Sequence, residues 1–242
     1  MNTFLVLAFL FFIGSTFGWV LELFYRRFFS RNNKERKWIN PGFCTGPYLP
    51  LYGSGLCLLY LIASTEKYYF LKSPLINKLF LFFTMAVFMT LIEYIAGIIS
   101  VKYFKIKLWD YTEEWGNIQG VICPKFSFFW SVLGAVYYFL VHPRILETLK
   151  WLSENLAFSF VIGLFFGVFI IDLSSSAQLA MKLKKFSEEH DVITKYETLK
   201  LQLKQRRTER LKKHQFFLPI IIEQSFYDLK IEFKEAFERR KH

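Results

Sequence analysis

Five apolar blocks alternate with polar segments along the first three quarters of the chain. Four of them approach or exceed the roughly 20 mainly apolar residues that a helix needs to cross a bilayer: Phe4–Phe24, Leu79–Ile99, Val121–Val141 and Leu156–Leu173. The fifth, Tyr48–Ala63, is weaker because its first half is rich in glycine and proline, and it predicts a short or partly re-entrant span. The pattern therefore predicts an all-α, polytopic membrane helix bundle of about five spans within residues 1–175.

The composition agrees with a membrane protein. Apolar residues make up 53% of the chain, aromatic residues make up 20%, and the mean hydropathy is +0.26. These values exclude an ordinary soluble domain. The three cysteines form no CxxC pair, so the sequence predicts neither a disulfide framework nor a zinc site. We expect no metal and no other cofactor from these residues.

The positive charges are unevenly placed. Segments 25–48 and 100–120 carry most of the lysines and arginines between the apolar blocks, and more than half of the 31 in the chain follow Leu173. Cationic loops remain on the cytoplasmic side of a membrane. Five spans with the N-terminus outside and the C-terminus in the cytoplasm satisfy this asymmetry, whereas four spans would place one basic region on the outer side.

Two of the polar loops share a pattern. Each follows a helix with an embedded carboxylate, Glu22 in GWVLELFY and Glu93 in LIEYIAG, and each continues with an Asn shortly before a Gly and then a Cys and a Pro. These features favour an internal duplication of a helix–loop–helix unit, with copies at 4–63 and 79–141 in the same orientation. We expect the two loops to fold together on the cytoplasmic side into a polar vestibule over the two glutamates.

The candidate functional residues lie in these helices and loops. A carboxylate inside a span is costly and normally faces the bundle interior, a partner or a watery cavity. Glu22 has an alternative in simple pairing with Arg26 one helical turn on, whereas Glu93 has no cation close in sequence. The loop asparagines either bind a ligand or satisfy loop carbonyls, and the tryptophans are either stacking groups or interfacial anchors. The candidates for a substrate-binding or translocation path are Glu22, Asn40, Tyr52, Glu93, Asp110, Tyr111 and Asn117, and those for shaping the loops are Gly42, Gly46, Pro47, Pro50, Gly53, Gly120 and Trp109.

The tail, residues 176–242, is polar, basic and periodic. Apolar residues from Leu179 to Leu203 recur at mostly three- and four-residue steps, which predicts a cytoplasmic amphipathic helix. A dense cationic run follows at 200–214. Such a tail either forms a short coiled coil, and so a homo-oligomer, or lies on anionic membrane lipids, or docks on a cytoplasmic partner. Lipid headgroups explain membrane-proximal lysines most simply, so nucleic acid is not expected as a partner.

The two loops and their flanking helices resemble the ABC-transporter type IV family, a group of small bacterial integral membrane proteins. The resemblance covers roughly residues 4–145 and rests on GWVLELFY (18–25), INPGFCTGPYLPLYGSG (39–55), LIEYIAG (91–97) and LWDYTEEWGNIQGVICPKFSFFWSVLG (108–134). It implies a permease-like protein of the bacterial cell membrane, and its pattern carries over to the candidates above and to Gly97, Cys123 and Trp130. The family commonly has an arginine where this chain has Pro41 and another where it has Val121, which argues against an anionic ligand on this face.

A transport component is the first functional interpretation. The chain has no GxxxxGK(S/T) phosphate loop, so coupling to ATP would require a separate ATPase subunit. One alternative is a membrane-embedded enzyme or flippase acting on a lipid or lipid-linked substrate, with Glu22, Glu93 and Asp110 as acids or bases and Cys123 as nucleophile. No catalytic motif such as GxSxG or HExxH is present to support it. A further alternative is a scaffold whose bundle anchors the tail.

Overall fold

Helices make up most of the computed structural model, which describes residues 3–30, 33, 36–66, 73–145, 147, 157–190 and 194–195. Within these residues the α-helices are α1 (Thr3–Phe28), α2 (Pro50–Ser64), α3 (Pro74–Ile98), α4 (Pro124–Val136) and α5 (Ala157–His190). Helix α3 continues as a π-helical turn, Ile99–Tyr103, and α4 as another, Tyr137–Val141. Two-residue strands, β1 (Ile106–Lys107) and β2 (Thr194–Lys195), pair in parallel. The predicted all-α fold is confirmed.

The helices differ in whether they are long enough to cross a bilayer. In the described part of the chain, four segments have the length and apolarity of membrane spans: Thr3–Phe28, Pro74–Tyr103, Pro124–Ile145 and Ala157–Gln178. The weak fifth block forms α2, which has 15 residues and is therefore about 22 Å long. That length is short of the roughly 30 Å of bilayer hydrocarbon. The predicted bundle of about five spans thus consists of four full-length helices and one short one.

The helices alternate in direction along the chain. Helix α2 runs antiparallel to α1, because Tyr52 lies against Gly18 while Cys57 Sγ donates to the carbonyl of Leu7. Helices α1, α3 and α5 run toward one end of the bundle, and α2 and α4 run away from it. We call this end the loop end, because it carries the first loop (residues 36–49) and the second loop (residues 108–123).

Glycines let α1 and α2 approach closely. A Cβ atom on Gly53 would lie 2.1 Å from Ser15 Oγ and 2.7 Å from the carbonyl oxygen of Phe11, and one on Gly18 would lie 2.3 Å from Tyr52 Cβ. Small residues are typical of helix crossings in membranes. There the helices associate through close van der Waals contact between their backbones, because lipid removes the hydrophobic driving force. The contact brings Tyr52 next to the last turns of α1.

Proline begins the helices that leave the loop end. Pro50 opens α2 and Pro124 opens α4, each in the first turn. Proline suits this position because its φ angle is already helical and its missing N–H would have no partner there. Each helix therefore starts sharply as its loop ends.

The core lies between the helices, and the outer faces are apolar. Leu10, Leu81 and Met85 are buried completely or nearly so, whereas Phe83 and Phe160 are largely exposed, as expected for side chains that contact lipid. Helix α5 runs without a break through the predicted boundary after residue 175. The rest of the predicted tail helix and its cationic run lie outside the described residues.

Candidate functional site

A cavity of about 390 Å³ lies at the loop end of the bundle. Helices α1 to α4 and both loops contribute to its walls. Its ionisable and phenolic lining comprises Glu22, Arg26, Tyr52, Glu93 and Tyr111, and Trp109 and Trp130 supply aromatic walls. The volume falls within the range of about 300–1,000 Å³ that is typical of small-molecule sites.

Glu22 is a paired carboxylate. Its Oε1 accepts a hydrogen bond of 2.9 Å from Arg26 Nε, and its Oε2 accepts one of 3.1 Å from the Tyr52 hydroxyl. Arg26 is buried and also donates to the carbonyl of Leu108 at 3.4 Å, which links α1 to the second loop. The predicted pairing of Glu22 with Arg26 is present, and it neutralises this side of the cavity.

Glu93 is buried without such compensation. Only 2% of the residue's surface is exposed, and Oε1 accepts a hydrogen bond of 3.1 Å from the Tyr111 hydroxyl. The indole of Trp130 interacts with the same carboxylate, but among the described residues no group forms a hydrogen bond with Oε2. The cationic residue in the cavity lining is Arg26, and it is paired with Glu22.

The two glutamates form matching pairs with tyrosines across the cavity. Tyr52 reaches Glu22 from α2, and Tyr111 reaches Glu93 from the second loop. Burial and the negative charge of Glu93 raise the pKa of Tyr111 well above its usual value, so this phenol stays protonated and acts as a donor. The ring of Tyr52 packs against that of Trp130 at 5.1 Å, which places the two pairs on one continuous surface.

The first loop is organised by Asn40. Its side-chain amide donates to the carbonyls of Cys44 and Thr45, at 3.2 and 2.6 Å, and its Oδ1 accepts from the backbone N–H of Gly42 at 3.1 Å. The same Oδ1 accepts from the indole N–H of Trp19 on α1, at 2.9 Å. Asn40 therefore satisfies loop carbonyls, which is one of the two roles that the sequence allowed.

The second loop is organised by Asn117 in the same way. Its amide donates to the carbonyls of Thr112 and Glu114, at 3.1 and 2.9 Å, and its Oδ1 accepts from the N–H of Gly120 at 3.0 Å. Gly120 has a φ angle of +68°, a conformation that favours glycine. A Cβ atom there would also lie 2.6 Å from Thr112 Cγ2.

Asp172 on α5 is a further polar residue, which holds the first loop in place beside the cavity, and sequence reasoning missed it. Its carboxylate accepts hydrogen bonds from the backbone N–H groups of Thr45 and Gly46, at 3.1 and 2.7 Å, and from the Tyr48 hydroxyl. Ser176 Oγ adds a bond of 3.2 Å from the same helix. The available signal was a single acidic residue inside an otherwise uncharged span, which normally has a partner within the bundle.

The predicted path residues divide into two groups. Glu22, Tyr52, Glu93 and Tyr111 line the cavity, whereas Asn40, Asp110 and Asn117 lie outside its lining. Asp110 binds Lys107 at 3.2 Å and the hydroxyl of Thr112 at 2.7 Å.

The predicted loop-shaping residues lie in or next to the loops. Gly42, Gly46, Gly53 and Gly120 are each in close contact with a neighbouring residue, Pro47 precedes the buried Tyr48, and Pro50 and Trp109 line the cavity. The indole N–H of Trp109 donates to the carbonyl of Val121 at 2.8 Å. Within the described residues, no cluster of three or more His, Cys, Asp or Glu side chains is arranged to hold a metal ion.

Comparison with known proteins identifies a family for most of the chain. The family described as "Putative ABC-transporter type IV" matches residues 9–177. The match includes α2, α3 and α4 and extends along α5 past Asp172, so the likeness reaches well beyond residue 145, where the resemblance predicted from the sequence ended. No curated protein and no solved structure matches the chain.

Proposed function

Because the chain belongs to the ABC-transporter type IV family, we propose that it is the permease-like component of a membrane transporter. The observation that carries this proposal is the pair of carboxylates, Glu22 and Glu93, in one cavity between membrane helices. Ionisable residues within spans commonly mark substrate or ion pathways. The cavity is then the loading site of the translocation path, with Glu22, Tyr52, Glu93 and Tyr111 as its polar contacts.

The loop end faces the cytoplasm in this proposal. Arg26 and Arg27 lie in the last turn of α1, and Lys102, Lys105 and Lys107 follow α3 at the same end. Positive residues next to spans remain on the cytoplasmic side. The N-terminus is then outside, and α5 leads the tail into the cytoplasm of a bacterial cell, where its basic segment meets anionic membrane lipids.

The bundle contains two copies of one unit in this proposal, at 4–63 and 79–141. Two features support it, and each occurs once in either half. The first is a glutamate near the loop end of a helix that is paired with a tyrosine. The second is an asparagine whose amide N–H groups donate hydrogen bonds to two backbone carbonyls and whose side-chain oxygen accepts one from a glycine N–H. Parallel repeats of this kind occur in other transporter folds.

Coupling of transport to ATP requires a second subunit, since these 242 residues contain no phosphate loop. The test is gentle purification of the tagged chain from its native membranes, followed by mass spectrometry and an ATP hydrolysis assay. We expect a stoichiometric subunit that carries a phosphate loop and hydrolyses ATP. A homogeneous preparation with no such subunit and no ATP hydrolysis would contradict the transporter assignment, whether the chain is monomeric or oligomeric.

A further inference from the structure

A second cavity, of about 680 Å³, lies beside the first. It is a groove between α1, α2 and α5, and its lining is almost entirely apolar, including Phe4, Phe11, Leu58, Leu61, Gly163 and Phe166. None of its lining residues is charged. The groove therefore suits a hydrocarbon chain and offers no counter-charge to an ionic ligand.

The two cavities adjoin. Ser54 of α2 and Ile92 of α3 line both of them. From Ser54 to Leu61 the groove follows α2 for seven residues, which correspond to about 10 Å along the helix. A molecule with its head in the polar cavity can thus extend its chain along α2, away from the loop end.

The charge of the polar cavity selects the head group. Glu22 is neutralised by Arg26, whereas the groups beside the Glu93 carboxylate, Tyr111 and Trp130, are neutral, and its buried Oε2 has no hydrogen-bond partner among the described residues. A buried carboxylate oxygen without a donor is costly, and a bound cation with N–H groups would satisfy it. The single arginine of the lining is paired with Glu22 and also donates to a backbone carbonyl, so its positive charge is already balanced.

We propose that the two cavities together hold one cationic amphiphile, with a protonated amine against Glu93 and a single hydrocarbon chain in the groove. This inference rests on the proposed function, because it names the substrate class of that loading site. The amine forms an ion pair with the Glu93 carboxylate, and the chain passes Ser54 and Ile92 to reach the space beside Gly163.

The first experiment measures the binding of radiolabelled dodecylamine to the full-length chain in nanodiscs of zwitterionic lipid. Unlabelled dodecanol and butylamine serve as competitors, because the first lacks the charge and the second lacks the chain. We expect dodecylamine to bind about tenfold more tightly than either competitor. The Glu93→Gln variant should lose the preference for the amine over the alcohol.

The second experiment tests the groove with two matched variants of α5. A Cβ atom on Gly163 or on Gly167 would meet nothing within 4 Å, so a larger side chain can begin at either position without a clash. Gly163 lines the groove, and Gly167 does not. Gly163→Leu should weaken dodecylamine binding about tenfold by occupying the space of the chain, and Gly167→Leu should leave it unchanged.

The outcomes separate this inference from the proposed function, because the binding assay requires no ATPase subunit. Equal binding of dodecylamine and dodecanol, or equal binding by the Gly163→Leu and Gly167→Leu variants, would overturn the amphiphile site. Co-purification of an ATPase alongside that result would leave the transport assignment standing. Charge- and chain-dependent binding without an ATPase would retain the site and remove the transport assignment.

Discussion

The two loops use the same internal device but are held in place by different partners. In each, an asparagine amide bonds two carbonyls and its oxygen accepts from a glycine N–H. The first loop is tethered by Asp172, which lies on α5, more than a hundred residues away in sequence. The second loop is tethered by the helices that flank it, through Tyr111 to Glu93 on α3 and through the stacking of Tyr111 on Phe126 of α4 at 4.2 Å.

The tether of the first loop supports the structure, whereas the tether of the second loop is part of the candidate site. The tether of the first loop does not line the polar cavity, whereas the tether of the second loop includes the buried glutamate of that cavity. A ligand at Glu93 would therefore act directly on the second loop. The first loop also contributes to the cavity walls, but its tether to Asp172 lies outside the lining. Cys44 in the first loop and Cys123 in the second are both buried, so their reaction with a maleimide, in single-cysteine variants, reports the opening of each loop separately.

The largest effect is expected from Asp172→Ala. The variant removes the acceptor of three hydrogen bonds from the first loop, and the loss of about 3 kcal/mol corresponds to an opening about a hundredfold more frequent. Labelling of Cys44 should accelerate by that factor, while labelling of Cys123 stays unchanged. Ser175→Ala is the matched control, since in the described part of the chain the Ser175 hydroxyl donates within α5, to the carbonyl of Ile171. Equal acceleration at both cysteines would show that Asp172 supports the whole bundle instead of one loop.

A smaller effect is expected from replacing the asparagines one at a time. Asn40→Ala should accelerate labelling of Cys44 and Asn117→Ala that of Cys123, each about tenfold, because each change leaves loop groups without their hydrogen bonds. In the double variant each cysteine should respond as it does in the corresponding single variant, since the hydrogen bonds described for the two asparagines lie in separate loops. A response of both cysteines to either single variant would mean that the loops form one cooperative unit.

The smallest effect is expected from Tyr111→Phe. The variant deletes one hydrogen bond to Glu93 and keeps the ring that stacks on Phe126, so labelling of Cys123 should rise only about threefold to tenfold. In a Glu93→Gln background the same change should have less effect, because the two side chains form one pair. Full additivity of the two changes would argue that Tyr111 is not held by Glu93.

The sequence predicts the local features of this comparison better than the distant ones. Hydropathy locates the spans, and embedded charge identifies Glu22 and Glu93, because both signals lie within one segment. Asn40 and Asn117 donate to carbonyls within their own loops, which is also a local feature and is one of the two roles that the sequence predicts for them. The bond from Thr45 to Asp172 joins residues separated by 127 positions, and no periodicity encodes such a pairing. The position of Tyr52 over Glu22 likewise depends on how closely α1 and α2 cross.

The central claim is that the polar cavity between the two loops opens to the cytoplasm. Ala96 of α3 lines this cavity, and Ala96→Cys in a cysteine-free chain can be labelled with a membrane-impermeant cationic thiol reagent. Leu58→Cys, which lines only the apolar groove, is the control for reagent that enters from lipid. The account predicts labelling of Ala96→Cys in inverted vesicles and none in right-side-out vesicles. Labelling in right-side-out vesicles alone, or in neither preparation, would contradict it.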